Sequence, residues 1–403
     1  MSAQLGVPRG KALTEERRRV VMVVAGLDLS LLNFRGSLLR AMGQAGHTVV
    51  GVAPAETPGV PQALAEMGVR FVPLALARAG LNPLADGLSL LRLKGLVQEG
   101  RPDVVLSYTI KPVIFGSLAA SWARVPRIYA LITGLGAAFH TTGLKGWLLR
   151  LMAVTMYRVA LARCTKVLVQ NGEIADLFVR EKIVAAEKVV VVSGSGVDTN
   201  HFPAVPMPSG APVFLLLARM LHDKGIAEYV AAARLVRVEL PEARFLMVGD
   251  IDPNPAAISA QQLNQWKEEG VVEHLSGVSD VRPLLSDCTV YVLPSYHEGM
   301  PRSVLEAMAT GRPIITTDTI GCKETICNSG AVDRDGIRTG ENGLLVPVRS
   351  VAPLAAAMLR LAKDSGLRVQ MGRRGREIAE QQFDVRLING LMLYAMDLVG
   401  EEA

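Results

Sequence analysis

The stretch VYVLPSYHEGMPRSVLEAMATG, residues 290–311, decides how the chain is read. VYVLPS is a short apolar run of β-formers and reads as a buried strand. Pro301 suits the first turn of a helix and Gly311 suits its end. The stretch is therefore strand, loop and helix, with Glu298 in the loop and Glu306 inside the helix. At about 1.5 Å per residue, Glu306 stands about 7–8 Å from the helix start. The helix N-terminus, around Gly299, Met300, Pro301 and Ser303, offers free N–H groups and a positive dipole end to a diphosphate. Glu298 can accept hydrogen bonds from sugar hydroxyls on one side, and Glu306 from two ribose hydroxyls on the other. Two glutamates eight positions apart also fit an ordinary strand–helix unit with a solvated face. The pair therefore needs support from elsewhere in the chain.

That support comes from residues 213–225, VFLLLARMLHDKG, a second buried strand followed by a polar turn. Arg219 sits at the carboxyl end of this strand and Lys224 just before the next helix. Ligands of open α/β sheets bind outside the carboxyl ends of strands. Two cations there can neutralise a diphosphate, Arg as a fork and Lys as a mobile point charge. ARMLHDKG (218–225), MVGD (247–250), EGMPRSVLEAMATGRPII (298–315) and ENGLLVP (341–347) occur in this order. Together they resemble the nucleotide-sugar half of the family 4 glycosyltransferases, retaining enzymes of the GT-B fold. The resemblance extends over nearly the whole chain. It implies an α/β protein of two Rossmann-like, doubly wound domains facing across a cleft. It also implies that Arg219, Lys224 and Glu298 are catalytic. Glu306, Gly249 and the start of the helix at Gly299, Met300, Pro301 and Ser303 would bind the nucleotide sugar. HLSGVSD (274–280) resembles the family's nucleobase loop, which brings in Val278.

Length and charge agree with two domains. The chain has 403 residues, half of them apolar and only 5% aromatic. About two hundred residues per domain is the natural division. Residues 1–200 carry 23 Lys and Arg against 13 Asp and Glu, whereas residues 201–403 carry 20 against 25. A basic first half points to a phosphate-rich partner: an anionic membrane, a diphosphate-linked acceptor or nucleic acid. The aromatics are too few and scattered for a nucleic-acid stacking platform. Cys164, Cys288, Cys322 and Cys327 form no C-x-x-C pair, and reduced cytosolic thiols are the plain reading. Arg17–Arg19 before VVMVVAG imitates a signal peptide, but the run is short and Asp28 follows, so it reads as the first strand. No run is apolar and long enough for a transmembrane helix. The expected location is the cytoplasm, at the inner face of the membrane.

Along the first half, strands are expected at 20–25, 48–53, near 69–74, at 103–108, at the start of 127–139, at 166–171 and at the start of 188–202. Helices are expected from about Asn33, over 60–67 and over 84–98. The glycines of the first turn do not follow G-x-G-x-x-G, so no dinucleotide is inferred. Asn33 and Arg35 near that turn, and Lys111 just beyond the strand DVVLSY, are candidates for an anion or phosphate contact. Thr133, Gly134 and Gly136 would let a substrate approach the backbone closely. Many family 4 members carry a histidine where Thr133–Gly134 stands, and His140 is the candidate substitute. Asn171 ends the strand KVLVQN. Residues 144–163 read as a helix whose charges are Lys145, Arg150, Arg158 and Arg163, with Trp147, Leu148, Leu151 and Met152 at helical spacing. Such a helix can lie on an anionic membrane. It can equally pack on the sheet with a solvated basic edge.

PAVPMPSGAP (203–212) reads as the interdomain linker. The expected domains are 1–205 for the acceptor, 206–385 for the nucleotide sugar, and a helix from 386–403 that returns to the first domain. ITGLGAAF, VQN and GSGVD…F resemble the subgroup that adds sugars to polyprenyl-diphosphate-linked saccharides, including N-acetylgalactosaminyltransferases. The expected reaction is transfer from a nucleotide diphosphate sugar, UDP-linked, to such an acceptor with retention of configuration. Arg219, Lys224 and the helix N-terminus would stabilise the leaving phosphate, so no cofactor and no metal are expected. The alternatives are a sugar-nucleotide epimerase of the same fold and a non-catalytic sugar-nucleotide-binding or scaffold protein.

Overall fold

The computed structural model describes residues 18–76, 82–136, 139, 143–252, 254 and 256–400. The chain divides into two compact units. One comprises Met1–Ser195 with Arg386–Ala403, the other Gly196–Val385.

The first unit is built on a seven-stranded sheet ordered β3-β2-β1-β4-β5-β6-β7. Its strands are β1 (Val20–Val24), β2 (Thr48–Ala53), β3 (Val69–Pro73), β4 (Val104–Tyr108), β5 (Arg127–Ile132), β6 (Lys166–Val169) and β7 (Val189–Val191). All its pairings are parallel. The central strands are mostly apolar and buried on both faces, as helix-covered parallel sheets require. The helices are α1 (Asp28–Asn33), α2 (Gly36–Gln44), α3 (Val60–Glu66), α4 (Pro83–Gly100), α5 (Ile110–Trp122), α6 (Gly143–Leu161) and α7 (Gly172–Arg180).

The second unit repeats the plan. Its strands are β8 (Val213–Leu217), β9 (Arg244–Val248), β10 (Glu273–Leu275), β11 (Val290–Leu293), β12 (Ile314–Thr317), β13 (Arg338–Thr339) and β14 (Gly343–Val346). They lie in the order β10-β9-β8-β11-β12-β14-β13, with β13 antiparallel to β14. The helices are α8 (Ile226–Glu239), α9 (Ala260–Glu268), α10 (Arg282–Asp287), α11 (Arg302–Ala309), α12 (Val351–Lys363) and α13 (Ser365–Ile378), followed by a π-helical turn at Ala379–Phe383. The strand order reverses between β1 and β4 in the first sheet and between β8 and β11 in the second. Ligands of such sheets bind at the carboxyl ends of those strand pairs.

The last helix, α14 (Val385–Ala395), belongs to the first unit. Ile388, Met392, Leu393, Met396 and Leu398 share its core with Val21, Leu39 and Val104. Asn389 Nδ2 donates to Ser37 Oγ at 2.8 Å.

Three sequence expectations are corrected. The unit boundary lies at Ser195/Gly196 rather than 205/206. Val197 bridges to Asp384, and Phe202 is buried in the core of the second unit. The proline-rich stretch is strapped down rather than free. The buried Arg312 donates to the carbonyls of Val205 (3.3 Å) and Pro206 (3.0 Å). Finally, the loop expected before Asn33 holds a short helix, α1, and the helix expected from about Asn33 begins at Gly36 as α2. Segment 251–281, unreadable in the sequence, contains α9 and the edge strand β10.

Candidate active site

Two loops meet at the reversal point of the second sheet. The β8–α8 loop carries Arg219 and a 3-10 turn, His222–Lys224. The β11–α11 loop carries Ser295 to Pro301. Gly225 lets them touch. It has φ of +70°, and a Cβ there would stand 2.1 Å from Pro294 O. Only glycine combines that backbone with that approach. Tyr296 N donates to Asp223 O at 2.8 Å across the seam.

The seam places Lys224 on Glu298, with Nζ donating to Oε1 at 2.7 Å. Both side chains are largely buried. Ser295 Oγ lies 2.9 Å from the same carboxylate oxygen and 3.2 Å from Asp223 O, and its one proton serves one of them at a time. Burial works against the Lys224 ammonium, but the charge and hydrogen bond of Glu298, aided by Asp223, outweigh it and hold the pKa above the usual lysine value. His297 Nε2 stands 3.7 Å from Asp223 Oδ2. Burial, with help from Lys224, holds its pKa below the ordinary histidine range.

Arg219 is over half exposed, and its Nη1 donates to Asp252 Oδ2 at 2.6 Å. It is near enough to Lys224 for the two positive charges to oppose each other. Gly249, at the end of β9, lies against the adjacent Ala218. A Cβ there would fall 1.9 Å from Ala218 O.

Helix α11 starts directly behind Glu298, with Pro301 as its N-cap. Ser303 Oγ lies 2.6 Å from Tyr291 Oη and 3.2 Å from Leu217 O, which ties the helix start to β11 and β8. Its hydroxyl is thus an anchor, a role the sequence reading did not assign to Ser303. Glu306 is the fifth helical residue and pairs with Arg302, Nε to Oε1 2.9 Å. Burial pushes the Glu306 carboxyl up, and Arg302 only partly offsets it. Val278 packs its side chain on the core beside this loop. The adjacent Gly277 N donates to Asp250 Oδ1 at 2.7 Å.

The first-unit candidates do not form one cluster of free side chains. Asn33 is exposed at the end of α1. Arg35 is buried, its guanidinium 5.2 Å from the centre of the Tyr108 ring and Nη1 donating to Phe34 O. Lys111 is largely buried and donates to Asp86 Oδ1 at 2.8 Å. Asn171 caps α7, Oδ1 accepting from Ile174 N at 2.9 Å, which is a structural task. Thr133 and Gly134 lie half-buried in the loop after β5. His140 lies outside the described residues. Two residues before Lys111, Thr109 adds a signal invisible in sequence: it has φ of +68° and ψ of 157° at the end of β4. Such backbone is costly for a residue with a Cβ and gathers at functional sites. Sequence reasoning also missed Ser295, Asp223 and His297, although two of them flank the residues it chose.

Two family models match the chain: "Glycosyl transferase 4-like domain" over residues 34–194 and "Glycosyl transferases group 1" over residues 211–364. The chain is 28% identical over 383 residues to an N,N'-diacetylbacillosaminyl-diphospho-undecaprenol alpha-1,3-N-acetylgalactosaminyltransferase of Campylobacter jejuni, covering 92% of this chain and 96% of that protein. It is 26% identical over 314 residues to a UDP-Gal:alpha-D-GlcNAc-diphosphoundecaprenol alpha-1,3-galactosyltransferase of Escherichia coli, covering 74% and 76%. The crystal structure of Anabaena HepE in complex with UDP-glucose superposes with a TM-score of 0.71 at 18% identity, covering 94% of this chain and 100% of that one.

Proposed function

The chain belongs to the family 4 glycosyltransferases of the GT-B fold, and from that premise we propose that it moves a sugar from a UDP-sugar to a polyprenyl-diphosphate-linked saccharide, with retention of configuration and without a metal. The observation that carries this is the Lys224–Glu298 contact beside the start of α11. It joins a cation, a carboxylate and a helix N-terminus at the strand ends where a nucleotide would lie.

The physical problem is the leaving group, because negative charge builds on the β-phosphate as the sugar–oxygen bond breaks. Lys224 spends one of its three protons on Glu298 and keeps two for phosphate oxygens. Arg219 would leave Asp252 to add a second cation, and the first turn of α11 supplies backbone N–H groups. Glu298 holds Lys224 with one oxygen and offers the other to sugar hydroxyls. Glu306 takes the ribose hydroxyls with the acceptor sites that Arg302 leaves open.

The acceptor side rests on the names of the relatives, two of which act on diphospho-undecaprenol-linked sugars. The N-acetylgalactosamine and galactose in those names make UDP-HexNAc and UDP-hexose the donors to try. The acceptor's lipid calls for a membrane seat. Helix α6 offers one, with Leu144, Trp147, Leu148 and Leu151 exposed and with Lys145, Arg150 and Arg158 as its charged residues. No helix among the described residues is long and apolar enough to cross a membrane. We place the protein peripherally, at the cytoplasmic face.

The test is thermal stabilisation by a panel of nucleotide sugars with and without chelator, followed by transfer to a synthetic polyprenyl-diphosphate saccharide. Ligand linkage predicts a melting shift that grows with UDP-sugar concentration. Anomeric protons of the product, read by NMR, report retention or inversion. Release of an epimerised sugar nucleotide without acceptor would favour the epimerase. Nucleotide binding with no turnover would favour the scaffold reading.

A further inference from the structure

We infer that α4 joins α6 in a two-helix face that seats the first unit on an anionic phospholipid bilayer; this rests on the membrane-bound acceptor proposed above. The observation is a second stripe of exposed leucines. Leu84, Leu88 and Leu91 of α4 are each more than half exposed, and Leu84 reaches 83%. They recur at spacings of four and three and so share one helix face. The opposite face carries Ser89, Leu93 and Val97, all buried. The same division holds in α6. Leu144, Trp147, Leu148 and Leu151 are exposed, and Ala153, Tyr157 and Ala160 are buried on the other side.

The topology aims both stripes the same way. Helix α5 packs against α4 on one side and α6 on the other, so the three form one layer over the sheet. In each outer helix the buried edge faces inward, and the leucines point away from the sheet. Both stripes also lie in the first half of their helices, Leu84–Leu91 of Pro83–Gly100 and Leu144–Met152 of Gly143–Leu161. Helices that connect parallel strands run back against them, so their first halves stand at the strands' carboxyl ends. Between the stripes, at the start of α5, lies Lys111, held by Asp86 of α4.

Charge selects the occupant. The positive charge comes from α6, which carries no acidic residue and exposes Arg158 and Arg150, the latter paired with Glu181; on α4 Arg92 and Lys94 are balanced by Asp86 and Glu99. A basic amphipathic surface of this kind binds anionic headgroups and buries its apolar residues at the acyl boundary. A bilayer on this face would present a lipid-linked diphosphate at the strand edge that holds Lys111.

The experiment compares the wild type with Leu88→Gln/Leu91→Gln and Leu148→Gln/Leu151→Gln in three readouts. These are co-sedimentation with vesicles of phosphatidylglycerol and phosphatidylcholine in equal parts, mass by light scattering, and transfer to a water-soluble diphosphate-linked saccharide. The expected result is a loss of about tenfold or more in vesicle partition for each variant, with melting temperature and soluble transfer unchanged. Wild-type partition in the α4 variant alone would overturn the two-helix face and leave α6 as the seat. Wild-type partition in both would overturn the face and the α6 seat together. A wild-type dimer that the α4 variant splits, with partition unchanged, would assign the stripe to a second copy and overturn the inference. Absence of soluble transfer in the wild type would count against the proposed acceptor chemistry, while the partition result would still decide the face.

Discussion

Tyr291 Oη sits 2.6 Å from Ser303 Oγ, joining the middle of β11 to the first turn of α11. Tyr291 is fully buried, and burial drives its phenol far above the ordinary tyrosine range. It therefore acts as a neutral brace. Tyr291→Phe keeps the ring and removes the brace. We expect about 1 kcal/mol of lost stability in denaturant unfolding and a several-fold rise in donor KM, because the helix start loses one of its ties. Unchanged stability would mean that Leu217 O alone positions Ser303.

Lys224→Ala should lower kcat much more than it weakens donor binding, because the cation answers charge that develops during the reaction. A loss of about 10²–10³ in kcat is expected, the range for removing one such donor. Glu298→Gln should raise KM as well, since it loosens both the sugar and Lys224. Steady-state kinetics separates the two. Near-normal turnover in Lys224→Ala would displace the leaving phosphate from this loop.

Gly225→Ala should be severe although it adds a single methyl. The added methyl meets Pro294 O at 2.1 Å, and the backbone is left-handed. Strain of this sort costs about 1–3 kcal/mol, and the clash also forces apart the loops that join Lys224 to Glu298. We expect a lower melting temperature together with an activity loss that approaches that of Lys224→Ala.

The raised Glu306 carboxyl sets an acid limb on donor binding. A folded pKa above the unfolded value means that the folded state holds its proton to higher pH. The residue's own contribution to stability is therefore greatest in acid and falls as pH rises through the folded pKa. Ribose binding needs the ionised form, so donor affinity should fall as pH drops through that same range, above the usual carboxylate value. Glu306→Gln should bind weakly and lose this limb. The measurement is donor KM or Kd against pH for both proteins.

Lys224 works in the opposite window. Its folded pKa is raised above 10.5, so its ion pair supports stability in full below that value and loses it as pH rises through the folded pKa. Denaturation midpoints in strong alkali should fall more steeply for the wild type than for Lys224→Met.

The inner strands were legible because they are mostly apolar runs buried on both faces, which leaves a continuous mark in the sequence. β10 and β13 escaped because edge strands such as Glu273–Leu275 carry few buried side chains. In the site, Lys224 and Glu298 were legible from their places at strand ends. Their contact was not, because it depends on β8 and β11 being neighbours and on Gly225 closing the seam. The contacts of Arg35 and Asn171 were hidden for a related reason. A guanidinium lying over Tyr108 and an amide capping α7 look, in one dimension, the same as side chains waiting for a ligand.

The return of α14 makes the first unit discontinuous in sequence: the second unit is inserted within it. During synthesis on the ribosome, residues 196–385 must emerge before Ile388, Met392 and Leu398 can reach the apolar surface around Val21 and Leu39. Until then that surface is open to chaperones or to neighbouring nascent chains. The second unit can close as soon as its own residues are out. The order of completion is therefore the reverse of the order of translation.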